Sequence, residues 1–195
     1  MLRVNGFKLL NGKEISFEIN NGQALLLEGA NGAGKSLLLK SLARLIPSSW
    51  NELSFEMQDI STLPVELWRS KVLYLPPDVV FDPEFTVEDF LEEPFGFAIH
   101  KGLKKVFEPR KYLNLPQEQM SLLSSGQKQS VALLRAISLN PDVLLLDEPF
   151  SHMDSQKQEL FFGLLSQWCK DGKMLVLVSH IEVKLAGINI QKIVL

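Results

Sequence analysis

The sequence predicts an α/β fold, with a mostly parallel sheet that is covered by helices on both faces. Three short apolar runs carry this prediction, because each is typical of a strand buried on both faces: Ala24–Glu28, Val143–Leu146 and Met174–Val178. Segments with helical spacing separate these runs, and strands that alternate with helices favour a parallel sheet. We also expect an antiparallel β part near the N-terminus and a small helical subdomain.

The bulk properties indicate one folded domain over residues 1–195. Hydrophobic residues make up 46% and charged residues 22% of the chain, close to the average for globular proteins. The formal net charge of -3 gives no basic bias toward nucleic acid. Cys169 is the single cysteine, which fits a reducing compartment, and no apolar run is long enough to span a membrane. We therefore expect a cytoplasmic chain, for which any membrane role requires a partner that spans the membrane.

Further elements are expected from turn signals and apolar spacing. Asn11-Gly12 between two strand-like segments is a strong hairpin signal. Residues 48–76 hold more strand-like pieces, and residues 78–140, which prolines punctuate, form the predicted helical subdomain. The elements are, in order, strands Leu2–Leu10 and Glu14–Ile19, helix Lys35–Ile46, strand Lys71–Leu75, helix Gly126–Leu139 and helix Gln156–Lys170.

The segment between the first buried strand and the first helix is a phosphate-binding loop, which indicates a P-loop NTPase core. It fits G-x-x-x-x-G-K-[ST] completely. Glycines let backbone N–H groups point at an anion, and the helix adds its positive N-terminal end. Lys35 is expected to reach the β- and γ-phosphates of ATP, and Ser36 to ligate Mg²⁺. The predicted ATP-binding residues are Gly29, Ala30, Asn31, Gly32, Ala33, Gly34, Lys35, Ser36 and Leu37.

Two acidic residues, Asp147 and Glu148, stand where a later buried strand ends. Adjacent carboxylates at such a place are costly unless a cation binds there. In a P-loop protein this cation is Mg²⁺, so Asp147 is predicted to help hold the metal. Glu148 is then placed to act as the general base on the attacking water.

Three further segments resemble the nucleotide-binding domain of ABC transporters, and the resemblance extends over essentially the whole chain. Leu123-Ser124-Ser125-Gly126-Gln127 is similar to the family signature LSGGQ. In the family this signature contacts the γ-phosphate of the ATP bound by the neighbouring subunit. The signature residues would be Ser124, Ser125, Gly126 and Gln127. Ser151-His152-Met153-Asp154 resembles the D-loop, in which Asp154 would help couple two sites. Val178-Ser179-His180 resembles the switch segment, so His180 would sense the γ-phosphate.

The resemblance implies a mechanism and partners. Two chains, as a homodimer or heterodimer, would sandwich two ATP molecules with Mg²⁺, and Glu148, Lys35 and His180 would be catalytic. Dimer closure would drive a separate membrane-spanning transporter subunit, through which the chain would lie at the inner face of the membrane, and no nucleic acid partner is expected. Five phenylalanines of this chain are candidates for a groove that receives a short helix of the membrane-spanning subunit or, alternatively, for the core of the helical subdomain. They are Phe81, Phe85, Phe90, Phe95 and Phe97.

The chain departs from the family pattern at three places. Pro77 stands where the family has a glutamine that contacts Mg²⁺, and proline offers no side-chain ligand, so Asp78 is a candidate replacement. Ser125 replaces the first glycine of the signature pair and adds a Cβ near the phosphate. No clear aromatic for adenine stacking stands at the end of the first strand, where Phe7 or Leu10 is the candidate for apolar contact.

Three functions stay open on the sequence alone. The first is the ATP-hydrolysing subunit of an ABC transporter, of the short stand-alone bacterial type that resembles haem or iron exporter ATPases. The second is a soluble ABC-type ATPase acting on nucleic acid or ribosomes, although no coiled-coil insertion or basic arm is visible. The third is an ATP sensor with low turnover, motivated by Pro77 and Ser125. The motifs favour the first.

Overall fold

The computed structural model describes residues 1–9, 12–92 and 119–195. The described strands form two sheets. They are β1 Leu2–Lys8, β2 Glu14–Ile19, β3 Ala24–Glu28, β4 Glu52–Phe55, β5 Gln58–Asp59, β6 Val72–Leu75, β7 Val143–Asp147, β8 Met174–Val178 and β9 Ile190–Val194. The described helices are α1 Lys35–Leu42, α2 Val65–Lys71, α3 Val87–Glu92, α4 Ser125–Ser138 and α5 Ser155–Lys170, with 3-10 turns at Ile60–Thr62 and Met120–Leu122.

Five strands form a parallel sheet in the order β6-β7-β8-β3-β9. The three strands predicted from apolar runs occupy its centre, and the predicted α/β class is confirmed. Val178 pairs with both Leu27 and Asp147, so β3, β7 and β8 end at one edge of the sheet. The phosphate loop after β3 and the two acids after β7 are therefore brought to the same edge.

Side chains of the central strands alternate between two hydrophobic clusters, one on each face of the parallel sheet. Leu144 and Leu146 of β7 belong to the cluster that includes α4 and α5. Val143 and Leu145 belong to the cluster that includes α1 and the antiparallel sheet. Burial on both faces explains the continuous apolar runs. Cys169 lies in the first cluster, and burial raises the pKa of its thiol to about 12, which favours packing over reactivity.

The other strands form an antiparallel sheet in the order β2-β1-β4-β5. Strands β1 and β2 form the predicted hairpin, and β4 pairs with the other side of β1. Strand β1 ends at Lys8 rather than at the predicted Leu10, which lies outside the described residues. This sheet packs against the face of the parallel sheet that carries α1.

Helix α1 ends at Leu42, four residues before the predicted end at Ile46. Arg44 takes a left-handed φ of 52°, which a continuing helix does not allow. Its guanidinium donates hydrogen bonds to the carbonyls of Ile60 and Leu63 at 3.2 and 2.7 Å. These tertiary contacts hold the arginine in a conformation that the apolar spacing does not reveal.

Two elements are absent from the sequence prediction, namely α2 and β9. Helix α2 lies where strand-like pieces are expected, and its Trp68 is fully buried and donates Nε1–H to the Leu42 carbonyl at 2.7 Å. Packing of this ring, rather than local propensity, fixes the helix. Strand β9 is a half-exposed edge strand with a mixed polar sequence, so it lacks the apolar run that identifies the other strands.

The helical subdomain is described only at its two ends. Residues 93–118 lie outside the described residues, and they include Phe95 and Phe97. The predicted bounds of this subdomain, residues 78–140, therefore stay a prediction.

Phenylalanines before this gap pack against α4. Lys128 Nζ of α4 lies 5.0 Å from the ring centroid of Phe81, and the Arg135 guanidinium carbon lies 4.6 Å from that of Phe90. Phe90 is buried, whereas Phe81 and Phe85 keep part of their surface exposed. Core packing and partner docking both remain compatible with this arrangement.

Candidate nucleotide-binding site

The loop between β3 and α1 turns on glycines with a left-handed backbone. Gly29, Gly32 and Gly34 have φ angles of 141°, 81° and 100°, a region that other residues rarely adopt. The Ala33 N–H donates to the Ala30 carbonyl at 3.2 Å and closes a turn inside the loop. The backbone therefore strongly favours glycine at these three positions, as a phosphate-binding loop does.

Lys35 is the charged group of this loop. Its side chain is buried, and Nζ donates hydrogen bonds to the carbonyls of Gly29 and Ala30 at 2.7 and 3.0 Å. The ammonium is thus held against the loop, where a phosphate group would bind. Ser36 follows in the first turn of α1 and is exposed. A cleft of about 330 Å³ opens at this point, and its lining includes Gly29, Lys35, Ser179, His180 and Lys192.

Asp147, the last residue of β7, is a buried acid that is 2% exposed as a whole residue. Its Oδ2 accepts a hydrogen bond from the Tyr74 hydroxyl of β6 at 3.0 Å. Burial, and then the charge of Asp147, raise the pKa of Tyr74 well above its usual range, so the hydroxyl stays protonated and donates. Tyr74 is not among the predicted site residues, and its only signal in the sequence is a polar tip on an otherwise apolar strand.

The residues at this edge fit a magnesium ion that is completed by phosphate oxygens. No ion pair within the described residues includes Asp147. The same residues contain no cluster of three or more His, Cys, Asp or Glu side chains that would hold a metal by itself. A buried carboxylate without a cationic partner favours an external cation, and Mg²⁺ is usually held by few protein oxygens together with substrate phosphates. Asp147 and Ser36 are the residues that would hold it.

Glu148 follows directly and has a left-handed φ of 50°, which is uncommon outside glycine. Its N–H donates to the Val178 carbonyl at 3.0 Å, and its Oε2 accepts from the His180 N–H at 3.2 Å. The buried Oε1 lies 3.1 Å from His180 Nε2 but accepts no hydrogen bond. The fold thus brings two predicted catalytic residues together and leaves Oε1 of Glu148 without a hydrogen-bond donor.

The signature-like segment forms the N-terminal cap of α4. Ser124 Oγ accepts from the Gln127 N–H at 3.3 Å, and Gln127 Oε1 accepts from the Ser124 N–H at 2.8 Å, which completes a capping box. Ser125 is exposed at the helix start. Gly126 is buried, and a methyl group added there would overlap the carbonyl oxygen of His152. The signature and the D-loop-like segment are therefore in backbone contact within one chain.

Asp154 caps the N-terminus of α5. Its side chain accepts from the Lys157 N–H at 2.9 Å and pairs with Lys157 Nζ at 3.1 Å. Hydrogen bonds from Lys157, the backbone one first, lower the pKa of Asp154. The contacts give this residue a structural role, and its predicted role in coupling two sites stays a prediction.

Neither of the two predicted candidates for adenine contact is shown to be available to a base. The Phe7 ring is 1% exposed and stacks on Trp50 with a centroid distance of 6.4 Å, so it is not available to a base. Leu10 lies outside the described residues. Leu9, which the prediction left out, borders the loop, since a methyl group added at Gly34 would lie 2.9 Å from Leu9 Cδ2.

For the remaining predicted residues the structure gives burial and position, but no contact that tests their predicted roles. Leu37 is partly buried against the core on the α1 side, and Asn31 is exposed in the loop. Pro77 and Asp78 follow the end of β6, and Asp78 is exposed. The predicted replacement of the family glutamine by Asp78 stays a prediction.

A family model provides the deciding comparison. The model described as ABC transporter matches residues 12–151, which is more than half of the chain. The chain belongs to the ABC transporter family. The predicted resemblance to the ATP-binding domain of this family is confirmed.

Curated relatives agree with this membership. Molybdate/tungstate import ATP-binding protein WtpC of Pyrococcus abyssi is 31% identical over 183 residues, which cover 88% of this chain and 52% of that protein. The protein of the same name from Methanocaldococcus jannaschii is 36% identical, with coverages of 86% and 59%. Manganese transport system ATP-binding protein MntB of Listeria monocytogenes is 30% identical, with coverages of 89% and 75%. The chain thus spans about half the length of the molybdate/tungstate relatives.

Solved structures show the same ABC ATPase fold. An ATP-binding subunit of an ABC transporter superposes with a TM-score of 0.77 at 22% identity, covering 92% of this chain and 79% of that one. A dimeric ATP-binding cassette in a post-hydrolysis state, bound to ADP and Pi, gives a TM-score of 0.76 at 23% identity, with coverages of 93% and 88%.

Proposed function

We propose that this chain binds ATP with Mg²⁺ and hydrolyses it as the ATP-binding subunit of an ABC transporter. The observation that supports this most is the placement of Glu148. Its carboxylate lies at the sheet edge that also carries the phosphate loop, next to the buried Asp147 and in contact with His180. An acid so placed is suited to take a proton from an attacking water.

Each residue of the site has a distinct task in this proposal. Backbone N–H groups of the loop and the Lys35 ammonium bind the β- and γ-phosphates. Asp147 and Ser36 hold the metal, which when bound would neutralise charge on the phosphates. Glu148 accepts the proton of the attacking water, and His180 keeps the carboxylate oriented and contacts the γ-phosphate.

The signature segment completes a site on a second chain. The cap of α4 presents Ser124 and Gly126 beside the D-loop-like segment, and a helix N-terminus of this kind suits a γ-phosphate. Two chains, identical or related, would close around two ATP molecules and reopen after hydrolysis. A difference in binding energy between the open and closed states is what performs work on a partner.

The partner in this proposal is a membrane-spanning transporter subunit, with this chain bound to it at the cytoplasmic face. The described helices of the chain are all too short or too polar to cross a membrane. The relatives WtpC and MntB are named for import of molybdate and tungstate and for transport of manganese, respectively. A haem or iron exporter remains a prediction from the resemblance, and the transported substrate stays open.

Affinity capture of the tagged chain from gently solubilised native cells tests the transport proposal. We expect a multi-span membrane protein in near-equal amounts in the captured complex. Recovery of only soluble proteins or nucleic acid, under conditions that preserve a known membrane complex from the same cells, would contradict the proposal. That outcome would favour the soluble ABC-type ATPase instead.

A low-turnover ATP sensor is the second candidate, because Pro77 stands where the family has a metal-contacting glutamine. The site retains the phosphate loop, both acids and the histidine, which favours hydrolysis. The effect of Glu148→Gln on ATP turnover separates these two candidates.

A further inference from the structure

Strand β6 contributes one side chain to the acidic edge of the sheet, the phenol of Tyr74. Tyr74 pairs in register with Leu145 of β7, and its hydroxyl reaches Asp147 two residues farther along that strand. Pro77, three residues after Tyr74, has no side-chain donor or acceptor. The half-buried phenol therefore links β6 to the acid at the end of β7 through a hydrogen bond.

The hydrogen bond engages only one oxygen of the carboxylate. Tyr74 donates to Oδ2 of Asp147 at 3.0 Å, and Oδ1 is left for another partner. Because Asp147 as a whole residue is 2% exposed, water does little to orient its carboxylate. Residues that hydrogen-bond a metal-binding carboxylate fix its orientation, and their loss typically weakens metal affinity by about 10–100-fold.

We propose that Tyr74 is a positioning residue that orients Asp147 toward the metal of the bound metal–nucleotide complex. The inference rests on the proposed function, because it concerns the metal that accompanies ATP. Tyr74 itself touches neither metal nor phosphate in this proposal. It acts through Asp147, so its effect must vanish when the Asp147 carboxylate is absent.

The test is the affinity of Mn²⁺, a paramagnetic substitute for Mg²⁺, for the full chain saturated with a non-hydrolysable ATP analogue. Free Mn²⁺ is measured by electron paramagnetic resonance. We expect Tyr74→Phe to raise the Kd of Mn²⁺ by about tenfold. The Kd of the analogue without metal should change by less than about twofold, because the phosphate loop is untouched.

Two controls separate positioning from a general loss of stability. Ser166→Ala removes another buried hydroxyl, which donates to the Phe162 carbonyl at 2.6 Å within α5, and it should leave the Kd of Mn²⁺ unchanged. In the Asp147→Ala background, which lacks the acceptor of the Tyr74 hydrogen bond, Tyr74→Phe should have no further effect on this Kd. Equal effects of Tyr74→Phe and Ser166→Ala, or an undiminished effect of Tyr74→Phe in the Asp147→Ala background, would overturn the inference.

A second measurement does not depend on folding of the Tyr74 variant. The chain has two tyrosines, so ¹⁹F NMR of the 3-fluorotyrosine-labelled protein gives few signals, and Tyr112→Phe identifies that of Tyr74. We expect this signal to shift when Mg²⁺ is added to the nucleotide complex. An unchanged signal, or a Kd of Mn²⁺ within twofold of wild type in Tyr74→Phe, would refute the role of Tyr74. Failure of the wild-type chain to bind nucleotide would instead refute the proposed function.

Discussion

Replacing Glu148 by glutamine should lower ATP turnover by about 10²–10⁴-fold, the usual contribution of a general base, while leaving ATP binding intact. Glutamine has the size of glutamate but cannot take a proton from water. The Glu148 carboxylate, whose Oε1 lies 3.1 Å from His180 Nε2, is the group that would receive this proton. Phosphate release under saturating ATP gives the turnover, and equilibrium dialysis gives the binding.

Glu159→Gln is the matched control for this experiment, because it makes the same chemical change on the exposed surface of α5. It should leave turnover within about twofold of wild type. Turnover that survives Glu148→Gln would remove Glu148 from the role of base. A wild-type chain that binds ATP with negligible turnover, unchanged by Glu148→Gln, would instead establish the sensor.

Replacing Gly126 by alanine should destabilise the chain by about 1–3 kcal/mol, in the range of overpacked sites. The added methyl would overlap the His152 carbonyl oxygen, and a backbone atom cannot rotate away as a side chain does. Either α4 or the segment at residues 151–154 must then shift. We expect the midpoint of thermal unfolding to fall by roughly 3–10 °C and ATP turnover to fall with it, because the cap of α4 moves.

Gly163 offers the matched control, since it lies inside α5 and an alanine methyl there meets no atom within 4 Å. Gly163→Ala should be neutral or stabilise the chain by up to about 1 kcal/mol, through the higher helix propensity of alanine. Equal thermal midpoints for Gly126→Ala and wild type would show that the contact with His152 relaxes at no cost, contrary to the expectation.

The parts of the fold that the sequence predicts well are those with an uninterrupted local signal. Strands β3, β7 and β8 each contain a continuous apolar run because both faces of the parallel sheet are covered, and the loop at 29–36 is specified by its glycines and lysine. Helix α2 and strand β9 escaped prediction because the packing of Trp68 and an edge position beside β3 determine them. Neither leaves a periodic pattern in the sequence.

The residues of the candidate site also differ in whether a local sequence signal predicts them. Lys35, Asp147 and Glu148 follow from motif and strand position, since the end of a parallel strand fixes where the next residues lie. Tyr74 requires the register of two neighbouring strands, and the role of Gly126 requires the approach of a distant segment. Phe7 was a candidate for adenine contact by position alone, but its ring is taken into the core beside Trp50. Contacts of this kind depend on tertiary structure.

The dependence of ATP turnover on protein concentration tests most directly whether two chains build the site. If the signature of one chain completes the site of another, turnover per chain should rise about tenfold for each tenfold rise in concentration while dimers are rare, and level off when they dominate. Light scattering on the same samples locates the range of association. Turnover per chain that is constant across this range, and that survives Glu148→Gln, would contradict the account.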